Sequence, residues 1–164
     1  MNEEDLMCVE TVPRHLRPYE WAKREWALNI KELPGKEQNN PKILWYHSFT
    51  TLKATDDETP WCSAFMCAAA VMGGGFPGTR SAAAKSWEGY GVNVPVEDAK
   101  QGDIVILKRQ DSSNPNARHV AFIHDVEMKS GQKVFVCLGG NQSNSICLAK
   151  FAMKNVVVVR RFPT

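Results

Sequence analysis

The chain has 164 residues with 20 basic and 18 acidic side chains, which gives a formal net charge of +2. A charge so near to neutral singles out neither nucleic acid nor anionic lipid as a partner. The length suits a single domain over residues 1–164 and leaves no room for a second catalytic domain, with 1–18 as a candidate flexible N-terminal segment.

The N-terminal part of the chain is predicted to be helical. Residues 1–5 are acidic and no long apolar run follows them, so we expect no signal peptide, no membrane insertion and synthesis in a cytoplasm. A first helix is predicted around residues 20–30, and a shorter one over 43–49. The candidate packing residues of the first helix are Trp21, Trp26 and Ile30.

A third helix is predicted to begin at Cys62, because Pro60 suits a helix start and the run Gly73-Gly74-Gly75 ends it. The spacing of its apolar residues predicts one buried stripe, formed by Phe65, Ala68, Ala69 and Met72. A cysteine in the first turn meets unpaired N–H groups and the positive end of the helix dipole, which favour the thiolate. Cys62 taken alone is still more typical of an inert core cysteine.

A further helix is predicted from Ser81 to Gly91, with Trp87 and Tyr90 in the core or on a cleft wall. The rest of the chain is predicted to be β, with strands over 103–108, 119–127, 133–138, 145–151 and 156–161. Helices followed by an antiparallel sheet predict an α+β fold, with the active site where the third helix meets the sheet.

Two charged residues flank the first of these predicted strands. Asp103 is interpreted as a turn residue at its start, and Arg109, just past its end, as a solvated surface charge.

The strands over 119–127 and 133–138 are predicted to form a hairpin through a three-residue loop, with Gly131 at positive φ. This loop pairs residue 128 with 132, and therefore His119 with Asn141. Opposed side chains have Cβ atoms about 4.5–5.5 Å apart, so the Asn141 oxygen can accept a hydrogen bond from the His119 ring. His124 has the opposite parity and is expected on the other face.

Cys62, His119 and Asn141 can together supply a thiol nucleophile, a base and a residue that orients the base. Each has a simpler explanation alone: a core cysteine, a histidine at a strand end, an asparagine in an Asx turn. The combination favours catalysis. Gly139 and Gly140, just before Asn141, fit a backbone that bends or is closely approached.

Other cysteine and glycine patterns predict no metal and no cofactor. Five cysteines without dense spacing indicate free thiols: Cys8, Cys62, Cys67, Cys137 and Cys147. A zinc site is the main alternative to free thiols. However, the chain lacks a C-x-x-C pair, and Cys62 and Cys67 would lie on different sides of a helix. The glycines from Gly73 to Gly78 lack the Lys-Ser/Thr ending of a P-loop.

Several motifs resemble those of the CHAP and NlpC-type cysteine amidohydrolases, which are papain-like domains that cleave peptidoglycan. The main ones are Trp61-Cys62-Ser63-Ala64-Phe65, Gly102-Asp103-Ile104-Val105, Arg118-His119-Val120-Ala121-Phe122 and Leu138-Gly139-Gly140-Asn141-Gln142-Ser143-Asn144. The resemblance extends to the stretches 34–35, 40–43, 57–60 and 80–87, and so covers most of the chain beyond the first twenty residues.

This resemblance implies a papain-like fold, with N-terminal helices packed on a C-terminal antiparallel sheet. It implies Cys62 as nucleophile, His119 as base and Asn141 as the third member. Many CHAP domains have a glutamate two positions before that asparagine, where this chain has Gly139. The departure leaves the orienting role to Asn141.

The resemblance also implies a substrate: an amide bond in the peptide stem or cross-link of bacterial peptidoglycan. Asp57, Trp61 and Gln142 are predicted to contact this substrate, and Tyr46 is a candidate for the second oxyanion donor beside the Cys62 N–H. A domain without an export signal resembles a phage lysin, or an injected toxin, that acts at the wall after release. A holin or an immunity protein as partner stays open.

Other functions also stay open. The enzyme could be an N-acetylmuramoyl-L-alanine amidase, which cuts between the sugar and the stem. A papain-like hydrolase or transacylase could use the same residues on a protein or lipid outside the wall. A catalytically idle wall-binding module could keep the fold, but it would have no reason to hold a reactive thiol.

Overall fold

A computed structural model describes residues 11–35 and 37–164, and in these ranges the chain is α+β with an antiparallel sheet of six strands. The free thiol predicted for Cys8, and most of the predicted flexible segment 1–18, lie outside the described residues. No helix within the described ranges is both long enough and apolar enough to cross a bilayer.

Three α-helices are found in the described ranges, followed by the sheet. The helices are α1 (Arg17–Trp26), α2 (Pro41–His47) and α3 (Cys62–Gly74). The strands are β1 (Val92–Val94), β2 (Ile104–Lys108), β3 (Arg118–Lys129), β4 (Gln132–Gln142), β5 (Ser145–Ala152) and β6 (Val156–Arg161). Their order across the sheet is β1-β6-β2-β3-β4-β5, and the helices pack on one face of it.

Helix α3 runs through the middle of the core. Every residue from 62 to 70 is buried, because α1, α2 and the sheet surround this part of the helix. The predicted single stripe is therefore wrong: the first turns are buried on all sides, whereas Met72 in the last turn is 50% exposed. The glycine run ends the helix as predicted, with Gly75 in the left-handed conformation at φ 65°.

The predicted helix from Ser81 to Gly91 is replaced by a short 3-10 helix, Ala84–Gly89. Hydroxyl groups bond the backbone in turns at this point: Ser81 N–H donates to Thr79 Oγ1 at 3.3 Å and Ala83 N–H donates to Ser81 Oγ at 3.1 Å. Such local bonds compete with helix formation. Strand β1, which follows, was not predicted, because it is only three residues long.

The β3–β4 hairpin closes through a two-residue turn rather than the predicted three-residue loop. Ser130 and Gly131 have φ of 51° and 78°, and Lys129 pairs with Gln132. A bulge between Ile123 and Asp125 then shifts the register by one residue, so that Phe122 pairs with Leu138, as the three-residue loop would require. The predicted three-residue loop is wrong. The predicted register is nevertheless found between the bulge and the His119 end of the hairpin.

His124 occupies this bulge and points toward the helices. Its Nδ1 lies 2.6 Å from the hydroxyl of Tyr19 on α1, and its ring packs edge-on against Trp26. His119 lies on the opposite face, where its ring packs against Phe151 at 5.7 Å. The prediction that the two histidines face opposite sides of the sheet is confirmed.

Asp103 combines the predicted turn with an ion pair. Its Oδ2 accepts a hydrogen bond from the Lys100 N–H at 2.8 Å, as a turn residue would. Its two oxygens also accept hydrogen bonds from Arg161 at 2.6 and 2.8 Å, and Asp103 is only 1% exposed. This pair fastens the start of β2 to the end of β6.

We expect Asp103→Asn to lower the free energy of unfolding by about 2–3 kcal/mol, because the partly exposed Arg161 loses its charge-assisted hydrogen bonds to a buried carboxylate. Denaturant titration measures this change. The matched control is Asp125→Asn on the exposed half of β3, which should change stability by less than about 0.5 kcal/mol. Equal effects of the two substitutions would show that the Asp103 pair does not stabilise the sheet.

Candidate active site

Cys62 is the first residue of α3, and the residue before it is anchored in the core. Trp61 is fully buried, stacks on Tyr46 with ring centroids 6.1 Å apart, and donates from Nε1 to Glu32 Oε1 at 2.9 Å. These contacts fix the position at which the helix begins, and with it the thiol. Since its ring lies inside the protein, the prediction that Trp61 contacts substrate is wrong.

His119 lies near the start of β3, opposite Leu107 of β2. Its Nε2 is 2.9 Å from the Oε1 of Gln142, the last residue of β4. Gln142, not Asn141, is therefore the hydrogen-bond partner of the histidine ring. Gln142 was predicted to contact substrate, but it is only 5% exposed and its side chain is engaged within the protein.

The surroundings of Gln142 decide which way its amide points. Its Nε2 donates to the carbonyl oxygens of Cys137 at 3.1 Å and of Cys147 at 2.6 Å. Carbonyls only accept hydrogen bonds, so the amide NH₂ must face them and Oε1 must face His119. His119 Nε2 then carries a proton, which leaves Nδ1 as the ring nitrogen for the thiol.

Asn141 is displaced from the predicted position by the backbone. It has a φ of 57°, and the β4–β5 register shifts between Gly139 and Gln142. An extra residue at such a shift turns the following side chain to the other face of the strand. Asn141 lines the cleft beside the site instead of bonding the histidine ring, so its prediction as the orienting residue is wrong.

The two glycines before Asn141 make room for this arrangement. A Cβ on Gly139 would lie 2.8 Å from Gln142 Oε1, so only glycine leaves space for that side chain. A Cβ on Gly140 would lie 2.7 Å from the Trp61 ring and 2.8 Å from the Cβ of Phe65, both at the start of α3. The predicted close approach of another group to these glycines is confirmed.

The thiol and the imidazole change each other's pKa. Burial raises the pKa of the Cys62 thiol, but the charge of His119 and its hydrogen bond lower it, as do backbone N–H groups of Val120 and Ser63. The net pKa of Cys62 lies below its ordinary value. Burial lowers the pKa of His119, while the Cys62 thiolate and the hydrogen bonds to Cys62 and Gln142 raise it above the ordinary value. Both directions favour a thiolate–imidazolium pair.

Two further predicted residues lie away from the thiol. Asp57 is fully buried, and its Oδ2 accepts hydrogen bonds from the N–H groups of Leu33 at 3.0 Å and Asn40 at 2.8 Å. It orders the loops before α2 and cannot meet a substrate. Tyr46 is also fully buried and donates to Glu25 Oε1 at 2.9 Å, so it is not an oxyanion donor. Their place in the core explains both errors.

Cys62 and His119 open onto a cleft of about 540 Å³. Arg109 lies on its wall, where its side chain is 34% exposed and pairs with Asp111 through two hydrogen bonds of 3.0 and 2.8 Å, so the predicted surface charge also belongs to the cleft. The strand predicted over 103–108 ends just before Arg109, and in the structure this end lies beside His119. This strand end was the signal that could have placed Arg109 at the cleft. In the described part of the chain, no three His, Cys, Asp or Glu side chains converge as a metal site requires.

No protein-family model matches the chain, and no curated protein matches it either. A functional conclusion therefore rests on the site itself: a thiol at a helix start, a histidine with one ring nitrogen held by Gln142, and an open cleft beside both.

Proposed function

We propose that the protein is a cysteine amidohydrolase of papain-like architecture, in which Cys62 is the nucleophile, His119 the general base and acid, and Gln142 the residue that orients His119. The observation that carries the proposal is the hydrogen bond of 2.9 Å between His119 Nε2 and Gln142 Oε1, which leaves Nδ1 for the thiol. A buried thiol with no catalytic role would need neither a basic partner nor a cleft.

The reaction follows from the protonation states of this pair. The Cys62 thiolate attacks the amide carbonyl, and the negative charge moves to the carbonyl oxygen, near the N–H groups of the first turn of α3. The imidazolium gives its Nδ1 proton to the departing amine as the C–N bond breaks. Neutral His119 then takes a proton from water, and the resulting hydroxide attacks the thioester carbonyl. The C–S bond breaks, the carboxylic acid product leaves, and the Cys62 thiolate and the His119 imidazolium are restored.

For the substrate we propose bacterial peptidoglycan, cut at a peptide bond of the stem or cross-link, so that the protein would act at the bacterial cell wall. Support for this part comes from the motifs that resemble the CHAP and NlpC-type enzymes. Glycoside cleavage is disfavoured because it requires two carboxyl groups flanking the bond, and Asp111 is the one carboxylate among the described residues of the cleft wall.

Digestion of purified sacculi tests the reaction and the substrate together. The protein should release new free amino groups and no new reducing sugar ends, and Cys62→Ala should release neither. A stem peptide freed intact from its lactyl sugar would identify the amidase alternative and leave the mechanism unchanged. Cleavage of a protein substrate without any effect on sacculi would refute peptidoglycan as the substrate.

The thiolate–imidazolium pair predicts an unusual pH dependence of alkylation. Because the pKa of Cys62 is lowered, its reaction with neutral iodoacetamide should persist below the ordinary thiol range and decline only as the pH falls through that lowered pKa. Because the pKa of His119 is raised, hydrolysis should continue above the ordinary histidine range and decline as the imidazolium loses its proton.

Peptide mass spectrometry after a limiting dose of reagent at pH 6 measures this selectivity. The internal controls are Cys67 and Cys137, because burial raises the pKa of both thiols. Labelling of either control ahead of Cys62 would contradict the assignment of the nucleophile.

A further inference from the structure

The cleft beside Cys62 concentrates positive charge. Among the described residues that line it, four are basic, Lys85, Lys108, Arg109 and Arg118, and one is acidic, Asp111. The whole chain has a formal charge of only +2, so this excess belongs to the cleft and not to the surface in general. A groove lined by one sign of charge raises the local concentration of ligands of the opposite sign.

Ion pairs within the protein neutralise part of this charge. Arg118 Nε lies 2.8 Å from Glu88 Oε1, outside the cleft wall, and Arg118 is nearly covered by the pair. Lys85 and Lys108 form no ion pair with any carboxylate in residues 11–35 and 37–164; Lys85 Nζ contacts the Asn116 amide oxygen at 3.4 Å. The cleft therefore keeps cationic groups that are not neutralised from within.

Arg109 is a cationic group placed close to His119 on the sheet. It continues β2 beyond Lys108, and its N–H donates to the Ala117 carbonyl at 3.2 Å. Since Leu107 lies opposite His119, Arg109 is the diagonal neighbour of His119 on the same face of the sheet. Diagonal neighbours lie about 7–8 Å apart, with their Cβ atoms somewhat closer, a separation that one small carboxylate-bearing residue can bridge.

The guanidinium of Arg109 already holds a carboxylate. Asp111 binds it through both oxygens, from an exposed position two residues along the chain. An exposed pair of this kind contributes little free energy, so a substrate carboxylate can replace Asp111 at small cost. The planar guanidinium then offers the same two parallel N–H donors to the incoming group.

We propose that the cleft selects substrates with a free carboxylate close to the scissile amide, and that Arg109 is the residue that receives this carboxylate. The assignment rests on the proposed function, because it names the substrate class of the same site. Arg109 sets specificity, and it takes no proton and forms no bond with the reacting atoms.

A pair of alkylating reagents tests the charge preference without any need for turnover. Iodoacetate and iodoacetamide react with the same thiolate and have nearly the same size, but only iodoacetate carries a carboxylate. At Cys62, the alkylation rate with iodoacetate is divided by the rate with iodoacetamide, and this ratio is divided by the same ratio for 2-mercaptoethanol. The normalised ratio should exceed one. It should fall toward one as salt is added, because salt screens the cationic residues.

Substitutions at the two partners should move this normalised ratio in opposite directions. Arg109→Gln should lower it about two- to five-fold at low salt, whereas Asp111→Asn should raise it, because the guanidinium loses its competing carboxylate. Lys129→Gln removes the same unit charge at the exposed end of β3, outside the cleft, and should leave the ratio unchanged. A normalised ratio of one or below, or equal effects of Arg109→Gln and Lys129→Gln, would overturn the assignment.

Hydrolysis of two synthetic stem peptides, identical except that one carboxylate beside the scissile bond is a carboxamide, extends the test to substrate. The wild-type protein should prefer the carboxylate form, and Arg109→Gln should remove the preference mainly through KM. Equal rates for the two peptides would overturn the Arg109 assignment while leaving the enzyme intact. Cleavage of neither peptide, with the iodoacetate preference present, would overturn the proposed function and leave the anion site standing.

Discussion

Cys62→Ala should reduce amide hydrolysis by about 10⁴-fold or more, because loss of the nucleophile removes the covalent route and leaves only binding and the oxyanion donors. The fold should survive, since alanine fits the helix start and removes one sulfur atom from a side chain that is 7% exposed. Release of amino groups from sacculi measures the activity, and thermal unfolding followed by circular dichroism measures the fold.

The matched control for this substitution is Cys67→Ala, five residues further along the same helix. Cys67 is 1% exposed and its sulfur contacts Thr79 Oγ1 at 3.8 Å, away from the cleft. Cys67→Ala should lower the thermal midpoint slightly and keep full turnover. Substantial turnover by Cys62→Ala, or loss of turnover in Cys67→Ala, would remove Cys62 from the role of nucleophile.

Gln142→Ala should lower kcat by about 10²–10³-fold with little change in KM, because the His119 ring loses the partner that fixes its tautomer and orientation. The substitution also removes the hydrogen bonds from the Gln142 amide to the carbonyls of Cys137 and Cys147, which should cost about 1–3 kcal/mol of stability. Activity is therefore measured well below the unfolding transition, together with the rate of Cys62 alkylation against pH.

That alkylation profile separates an orienting role from a merely structural one. If Gln142 supports the ion pair, its loss should move the decline in Cys62 reactivity to higher pH, because a poorly placed imidazolium stabilises the thiolate less. Asn141→Gly is the control, since glycine accepts the φ of 57° and removes only the neighbouring amide. A larger loss of kcat in Asn141→Gly than in Gln142→Ala would restore Asn141 as the orienting residue.

The position of Cys62 at the start of α3 was predictable because it depends on local chemistry. Pro60 before the helix and the glycine run after it delimit α3 to within a residue, and the apolar run between them matches a buried helix. The strands were predicted within a few residues because β-branched and aromatic residues are concentrated in them. These signals lie within a single element and need no knowledge of the partner elements.

The identity of the histidine's hydrogen-bond partner was not predictable in the same way, because it depends on three backbone irregularities. The two-residue turn at Ser130 and the bulge at His124 have opposite effects on register, so the inner half of the hairpin agrees with the prediction by compensation. Because Asn141 adopts a left-handed φ, the side chain of Gln142, instead of that of Asn141, faces the His119 ring. Each irregularity moves every later side chain to the other face of the strand.

Other errors arose where tertiary contacts override a local pattern. Asp57 lies in an acidic, polar stretch that is typical of a solvated turn, yet it is buried and accepts hydrogen bonds from two backbone N–H groups of the connection between α1 and α2. Arg109 is partly exposed, as predicted, but its sequence position did not show that this strand end lines the cleft. Sequence position alone does not indicate which strand ends line a cleft.

The bulge at His124 divides the β3–β4 hairpin into two halves whose pairing registers differ by one residue. The inner half adjoins the thiol, and the outer half ends in the exposed tip at Ser130 and Gly131. An inserted peptide at that tip changes the length of the outer ladder, while the bulge and its hydrogen bond to Tyr19 hold the inner ladder in place. The tip is thus a natural attachment point for a fluorophore or a targeting module that leaves the reactive end of the sheet untouched.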